Sequence, residues 1–530
     1  MSVLLSVAFF LHVRPYQRPA GVQEYEKERG WIAVQVPLGT GIFLRLAFLL
    51  RPKDCSKSFS FRIGDWLYYK ADILCALAIL IKCMEWPVEP STFLHLSDIH
   101  FRRNANTPYD AFKDLRDELE RDASEMAKRL KGAHGILISG DVAFSGQTDE
   151  YKIAQAWLKR ICEKLNCPQE NVWMIPGNHD VDRKVVEKSI SIEDAHKNLR
   201  ESAGELDHKL ARYLGSDPEA AKLIYRPIEK YIDFAAKYGC EISPEKPYWE
   251  EDWPLNDGST LRIRGLNSTI VSDESDNDAS NKLVVGKRQL EMTRQDGVEY
   301  LAMCHHPPTW LLDHDSAEDL LCSRARLHLF GHKHRQRVVP IEQSVRVTAG
   351  AMHPDEREPN WQPRYNFLQI SIEADTQGKR HMKVVVYPRV YKEESTKFVA
   401  DFDEEGHDYR EYNCPLPDWK SPVTQSQPAS PKVSAAEGSA VSSARGSKMR
   451  PGRKLTYKFM DLPHHTKLKI AQNLGLIRDE DEGLRDAELY KRYFDRAAEL
   501  NKLAELWDLV QNEYGDTDKD NPYKRSSGAA

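Results

Sequence analysis

LFGHKHRQ, Leu329–Gln336, places two imidazoles two residues apart, behind a short apolar run and a glycine. Alone, an H-x-H pair carries little weight. Its company changes that. Working outward, the chain also holds LAMCHHPP (Leu301–Pro308), VWMIPGNHD (Val172–Asp180), GILISGDVAFSG (Gly135–Gly146) and FLHLSDIH (Phe93–His100). Each polar cluster follows an apolar run of strand length: Phe93–Leu96, Ile136–Ser139, Val172–Ile175, Leu301–Cys304 and Leu327–Phe330. Helical patterns such as YDAFKDLRDELERDASEMAKRL and YKIAQAWLKRICEKL separate the first of these runs. Strand and helix in alternation predict an α/β sheet core. In such sheets ligands bind beyond the carboxyl ends of the strands, so the five clusters should converge on one rim.

The 530 residues are too many for one small core, so two or more folded units are expected. Charged residues make up 29% and hydrophobic ones 41%, an ordinary balance for a globular chain. A formal net charge of −6 gives no electrostatic reason for general nucleic-acid binding, although it does not exclude a local basic groove. The nine cysteines are scattered without a CxxC pair, which argues against a disulfide framework or a thiolate zinc site and for a reducing, cytoplasmic setting. The apolar stretches Val3–Val13, GIFLRLAFLL and ADILCALAILIKC are each shorter than the roughly 20 residues needed to span a bilayer. No membrane association is expected. The first lacks a basic flank before it and so reads at most as a poor secretory signal.

Residues 1–90 read unlike the rest, either as a real N-terminal extension or, the reading favoured here, as sequence ahead of a true start at or near Met84. Residues 91–419 form the main domain, interrupted at 186–245 by a largely helical insertion. Residues 420–455 are rich in Ser, Pro, Ala and Gly, cannot repay the entropy of ordering, and read as a flexible linker; its cations Arg445, Lys448, Arg450, Arg453 and Lys454 read as solvated. Residues 456–515 hold three amphipathic helices. Pro463 and Gly475 bound the first, and Leu503, Leu506, Trp507 and Val510 share one face of the last. Together they predict a small all-α bundle of adaptor type, followed by a disordered tail at 516–530.

The clusters offer Asp, Asn and His without thiolate, a mix that suits manganese, iron, zinc or nickel. There are ligands enough for two ions, and one carboxylate, Asp141, can bridge both. Such a pair lowers the pKa of a bridging water and clamps phosphoryl oxygens during in-line displacement. The ordered set D-x-H, G-D, G-N-H-D, H-x-P and G-H-x-H resembles the calcineurin-like metallophosphoesterase superfamily over about residues 92–390. The resemblance implies a β-sandwich with helices on both outer faces (αββα). It implies that Asp98, His100, Asp141 and His334 hold one divalent ion and that Asp141, Asn178, His305 and His332 hold the other, with manganese favoured. It implies that His179 touches phosphate or acts as general acid near the leaving oxygen, and that His306 stands behind His305. The GLNSTIV and VVGKRQLE stretches look most like the class III cyclic nucleotide phosphodiesterase branch, whereas GDVAFSG and GNHD depart from the G-D-x-V-D-R-G and G-N-H-E of protein phosphatases. The implied activity is hydrolysis of a small or cyclic phosphodiester by a metal-bridging hydroxide. One departure matters: many members carry an acidic residue where this chain has Phe144, so His179 either finds another partner or contributes less as an acid.

Two further functions fit parts of the pattern. A nuclease would share HLSDIH but would need a basic, aromatic-lined strand path, which the sequence does not display. A signalling or defence scaffold without catalysis would have no use for so complete a ligand set. Arg102, Arg103 and Arg335 follow metal motifs closely, and Arg102 is the weak candidate for a substrate phosphate. His95 and His328 lie within strands and read as structural. His464 and His465 open a helix and are given no metal. SDESDNDAS (Ser272–Ser280) reads as a solvated acidic loop. The helical module would bring the enzyme to a protein partner.

Overall fold

The computed structural model describes residues 7–11, 31–37, 43–49, 89–105, 107–276, 280, 282–353, 362–419, 451–515 and 521–524. Met84 and residues 420–450 lie outside this set. The chain divides into two compact units, 1–86 and 87–530. In the first, strands β1 (Val7–Leu11), β2 (Trp31–Pro37) and β3 (Phe43–Leu49) form an antiparallel sheet with β3 in the middle. Among the described residues no helix is long and apolar enough to cross a membrane.

The second unit holds the sandwich. In its first sheet β4 (Ser91–Leu96), β5 (Gly135–Ile138) and β6 (Val172–Met174) run parallel. The strands β13 (Arg364–Ala374), β14 (Arg380–Lys392) and β15 (Lys397–Ala400) extend it antiparallel from β4, and β16 (Arg410–Pro415) also pairs with β14. In the second sheet β8 (Thr260–Leu266), β9 (Val298–Cys304), β10 (Ala325–Phe330) and β12 (Ser344–Thr348) are parallel. There β7 (Tyr248–Pro254) and β11 (Arg337–Ile341) close the two edges antiparallel. The burial pattern explains the arrangement. The parallel strands β5 and β6 are apolar and buried on both faces, as covered strands require, while β14 alternates buried and half-buried residues along its length.

The sheets meet through aromatic rings. Phe93 of β4 packs edge-on against Trp173 and Trp253, with centroids 6.0 and 5.4 Å apart. Their polar ends are also used: Trp249 Nε1 donates to the Met174 carbonyl at 2.8 Å and Trp253 Nε1 to Ser91 Oγ at 2.8 Å. Helices α1 (Lys113–Arg129) and α2 (Thr148–Leu165) bury Leu115, Leu119, Met126, Trp157, Leu158 and Ile161 in the same core. The helical insertion contributes α3 (Ile190–Arg200), α4 (Pro218–Tyr225) and α5 (Glu229–Ala236). The Asp217 side chain caps α4 by accepting from the amides of Glu219 and Ala220, with Pro218 next to it. On the second sheet, α6 (His314–Arg324) buries Ala317 and Leu321.

The C-terminal module has four helices, one more than its sequence predicts: α7 (Pro451–Asp461), α8 (His464–Asn473), α9 (Asp486–Glu499) and α10 (Leu503–Tyr514). Its core comprises Leu455, Phe459, Ile470, Tyr490, Tyr493, Leu506, Trp507 and Val510. Thus the stretch expected as linker at 420–455 is already helical from Pro451. Leu455 and Phe459, four residues apart, supply an apolar stripe that the surrounding cations obscure. Within the expected tail, residues 521–524 are packed on the module: Asn521 Nδ2 donates to the Ala504 carbonyl at 2.7 Å and Tyr523 packs on Trp507.

Arg453, expected to be solvated, is buried in the sandwich domain instead. Its Nε donates to the Glu170 carbonyl and its Nη2 to the Val172 carbonyl, both at 2.8 Å, and its guanidinium lies 5.1 Å from the Trp173 ring. Nη1 reaches Glu251 Oε2 at 3.5 Å. Beside it, Lys237 pairs with Asp461 and Tyr457 Oη donates to Gln169 Oε1. These contacts fasten the module to β6. Arg453→Ala would strand several buried acceptors and is expected to cost about 2–4 kcal/mol of docking stability. Hydrogen exchange should show amides of 452–512 exchanging faster, with those of β4 and β5 unchanged. Equal exchange in variant and wild type would refute the assignment.

Candidate metal centre

Five of the residues at the strand ends depart from ordinary backbone geometry. Asp98 and His100 after β4, Asp141 after β5, and His332 and His334 after β10 have φ of 52°, 52°, 56°, 64° and 52°. Left-handed conformations are uncommon for residues with side chains, and they cluster where function holds them. Each turns a side chain back over the rim of the sandwich. The turns are locked by backbone hydrogen bonds between neighbouring loops: the Asp98 amide donates to the Gly140 carbonyl at 3.1 Å, and the Ile99 and His100 amides donate to the Asp141 carbonyl at 2.9 and 3.0 Å. Glycine allows the closest approach. A Cβ on Gly177 would lie 2.1 Å from Asp141 Oδ1.

All seven residues expected as ligands come together around Asp141. His100 Nε2 and His305 Nε2 lie 3.3 and 3.1 Å from Asp141 Oδ2, and the His179 amide donates to Asp141 Oδ1 at 2.7 Å. On one side His334 Nε2 is 3.1 Å from Asp98 Oδ1. On the other, Asn178 Oδ1 lies 3.2 Å from His305 Nε2 and 3.1 Å from His332 Nδ1. Asp98, His100 and His334 form one compact donor group; Asp98, Asp141 and His305 form a second that joins it to the Asn178 side.

The electrostatics suit cations. Burial pushes the Asp98 carboxyl up, but His334 and His305 overcome it and hold it at about 2. Asp141 is likewise held well below the usual range against its burial, chiefly by His305 and His179. Burial, then His305, lowers His332 to about 3. Burial disfavours a charged His305, yet Asp141 raises it to about 9. Asp98 Oδ2 is buried and has no hydrogen-bond partner among the described residues. A buried carboxylate oxygen without a donor, within a set of imidazoles and an amide oxygen, fits a divalent ion.

Several supporting contacts lay beyond the reach of sequence. The His353 carbonyl is 3.2 Å from His100 Nδ1, and the Ser139 carbonyl is 2.7 Å from His305 Nδ1. Such carbonyls select the ring tautomer and aim the other nitrogen at a metal. His353 gives no motif, and a carbonyl has no side-chain signature. Asp180 accepts from the amides of Val142, Ala143 and Gly177 at 3.2, 2.9 and 3.0 Å, which ties the two loops together beneath Asp141. Burial and Asp141 raise it to about 7.

His179 does find another partner: its Nδ1 donates to the Phe144 carbonyl at 2.9 Å. Its ring is 4.5 Å from that of His100. Burial, then His100, lowers its pKa to about 4. His306 Nδ1 lies 2.8 Å from Ser268 Oγ and its ring 4.4 Å from that of His332, and with His305 and His332 it forms a further compact donor group. Arg102 lies over the Phe144 ring, while Arg103 and Arg335 are exposed. His95 and His328 are buried and bonded to Ser139 Oγ and to the Leu321 and Ala325 carbonyls. His464 meets Tyr490 Oη in the module, far along the chain from the centre. Asp276 of the acidic stretch is not solvated as expected: it is buried, and Arg200 of α3 pairs with it at 3.4 Å and with Asp273 at 2.6 Å.

Gly177→Ala should displace Asp141 and abolish metal uptake, measured as manganese per chain after dialysis, while far-ultraviolet circular dichroism stays native. Retention of full metal content would contradict this geometry. Without metal, His305 keeps its proton up to about pH 9, and a metal must displace that proton. Manganese affinity is therefore expected to rise with pH toward about 9 and then level off. Calorimetry at pH 7 in buffers of differing ionisation enthalpy should report release of about one proton.

Comparison with known proteins agrees with this geometry. Residues 91–336 match the family model for calcineurin-like phosphoesterases, and residues 452–512 match that for the GTPase-associated adaptor domain. An uncharacterized metallophosphoesterase-like protein of Bacillus subtilis is 26% identical over 220 residues, covering 40% of this chain and 42% of that protein. The chain thus spans less than half the length of this curated relative. Among solved structures, Vacuolar Protein Sorting 29 of Cryptosporidium parvum shares 12% identity at a TM-score of 0.27, covering 61% of this chain and 98% of its own. The sulfate thiohydrolase SoxB of Thermus thermophilus shares 12% at 0.27, over 62% of this chain and 57% of its own. The strand-end ligand set and the family match agree: this chain carries a calcineurin-like phosphoesterase domain, joined to a GTPase-associated adaptor domain.

Proposed function

We propose that the chain is a dimetal phosphodiesterase acting on a small or cyclic phosphodiester. The observation that carries this reading is the placement of Asp141 Oδ2 between His100 and His305, with further donors to either side. Asp98, His100, Asp141 and His334 would hold one ion; Asp141, Asn178, His305 and His332 would hold the other, manganese being favoured. When bound, such a pair activates a shared water and neutralises charge on phosphoryl oxygens.

The chain's own residues supply the rest. Asp141 and Asp98 bring two negative charges, so the loaded centre keeps a net positive field toward an anionic ester. With His179 Nδ1 committed to the Phe144 carbonyl, Nε2 is the ring atom left to meet the leaving oxygen. An anionic ester beside it favours its protonated form and offsets the lowering by burial and His100. His179 can then pass that proton to the departing alkoxide.

The absence of a G-D-x-V-D-R-G sequence disfavours phosphoprotein substrates, and the acidic overall charge disfavours a nuclease. The described cysteines are free and buried, which suits a reducing cytoplasm. The adaptor domain would connect the enzyme to a protein partner, which its family description associates with GTPases.

Metal-stripped protein reconstituted with manganese should hydrolyse bis-p-nitrophenyl phosphate faster than p-nitrophenyl phosphate. Asp141→Asn should eliminate turnover. His179→Gln should lower kcat by about 10²–10⁴ for alkyl leaving groups and by less for nitrophenolate, which needs little acid assistance. A wild-type protein inert with every divalent ion tried would shift the reading to a scaffold.

A further inference from the structure

Phe144 does more than lend His179 a carbonyl. Its ring is partly exposed at the rim of the centre, 5.3 Å from the His179 ring. The Arg102 guanidinium lies over that ring, 3.8 Å from its centroid, with the Phe112 ring 5.8 Å away. Arg102 follows His100 by two residues and is exposed. Among the described residues it forms no ion pair. Acids close to it in the chain or at the site are committed elsewhere: Asp98 meets His334, Asp110 pairs with Arg116, and Asp180 accepts backbone amides. A guanidinium stacked on an aromatic face keeps the N–H donors along its edge available. It is a charge fixed in place without being neutralised, next to a centre built for an anion.

We propose that Arg102 and Phe144 form one anion-binding unit on the His179 side of the centre, in which the guanidinium contacts a phosphate oxygen of the substrate and the ring holds it there. The proposal rests on the phosphoesterase reading and deepens it. Arg102 is the substrate contact and Phe144 its positioning residue. The identity of residue 144 then has a purpose. A carboxylate at this position would pair with Arg102 and cancel its charge, whereas an aromatic ring orients the cation and leaves it positive.

The test uses full-length, manganese-loaded protein with two readouts: the Kd of inorganic phosphate by calorimetry, and KM and kcat for bis-p-nitrophenyl phosphate. Arg102→Ala should weaken phosphate binding about tenfold and raise KM similarly, with kcat within about twofold. Phe144→Leu should reproduce part of that loss, and the double variant should be no worse than Arg102→Ala alone. Phe144→Trp should retain binding, since it preserves the stacking face. Phe144→Asp should bind phosphate as poorly as Arg102→Ala does. Wild-type phosphate affinity in Arg102→Ala, or additive losses in the double variant, would overturn the proposal while leaving the phosphodiesterase reading intact. A wild-type protein that loads metal yet neither binds phosphate nor turns over would overturn both.

Discussion

One buried carboxylate organises the catalytic face. Asp141 receives the His179 amide on one oxygen and faces two imidazoles with the other. A fully buried anion is tolerated only when its lone pairs are met and its charge is answered. The protein provides for both. Asp180, beneath it, draws the Asp141 and Gly177 loops together through three backbone amides. Gly177 leaves room for the carboxylate to sit against the next loop. The left-handed turns at Asp98, His100, His332 and His334 spend local backbone energy to bring further donors within reach of the same point. Loss of the central charge would leave a cluster of imidazoles with little reason to converge.

The fold and the donor set were legible because they rest on patterns that chain chemistry makes local. Apolar runs of strand length covered on both faces announce parallel strands, and polar residues at their carboxyl ends announce a shared rim. Hence His305 and His332, separated in sequence from Asn178 by more than a hundred residues, could be read as its neighbours. What escaped reading depends on tertiary partners. Arg453 resembles any cation of a polar linker until the carbonyls of Glu170 and Val172 are in view. Asp276 looks solvated until Arg200 arrives from α3. The carbonyls of Ser139 and His353 orient two ligands without any side-chain cue. Phe144 seemed a defect in the pattern. Its carbonyl meets His179 Nδ1, and its ring lies beneath the Arg102 guanidinium.

The helical insertion and the C-terminal module, distant in sequence, share one region of the surface. Lys237, just past α5, meets Asp461 of α7, and Arg485 approaches Asp233 of α5 at 3.4 Å. The insertion therefore serves as a platform for the module as well as a cover for the sandwich. An adaptor domain attached in this way is oriented relative to the metal centre rather than merely tethered to it.

The grip of Arg453 on β6 has a further consequence. In its sheet β6 is the last strand, paired only with β5 on one side. Without Arg453 its outward carbonyl at Val172 would keep only the weak Cys240 Sγ contact at 3.8 Å and could accept from another extended chain. Arg453 occupies it with a side chain, which accepts no continuation of the ladder. The module thus completes a guard along the sheet's edge that Trp249 begins at Met174, and the phosphoesterase domain cut free of it would expose the Val172 end of that edge, three residues ahead of the loop that bears Asn178 and His179.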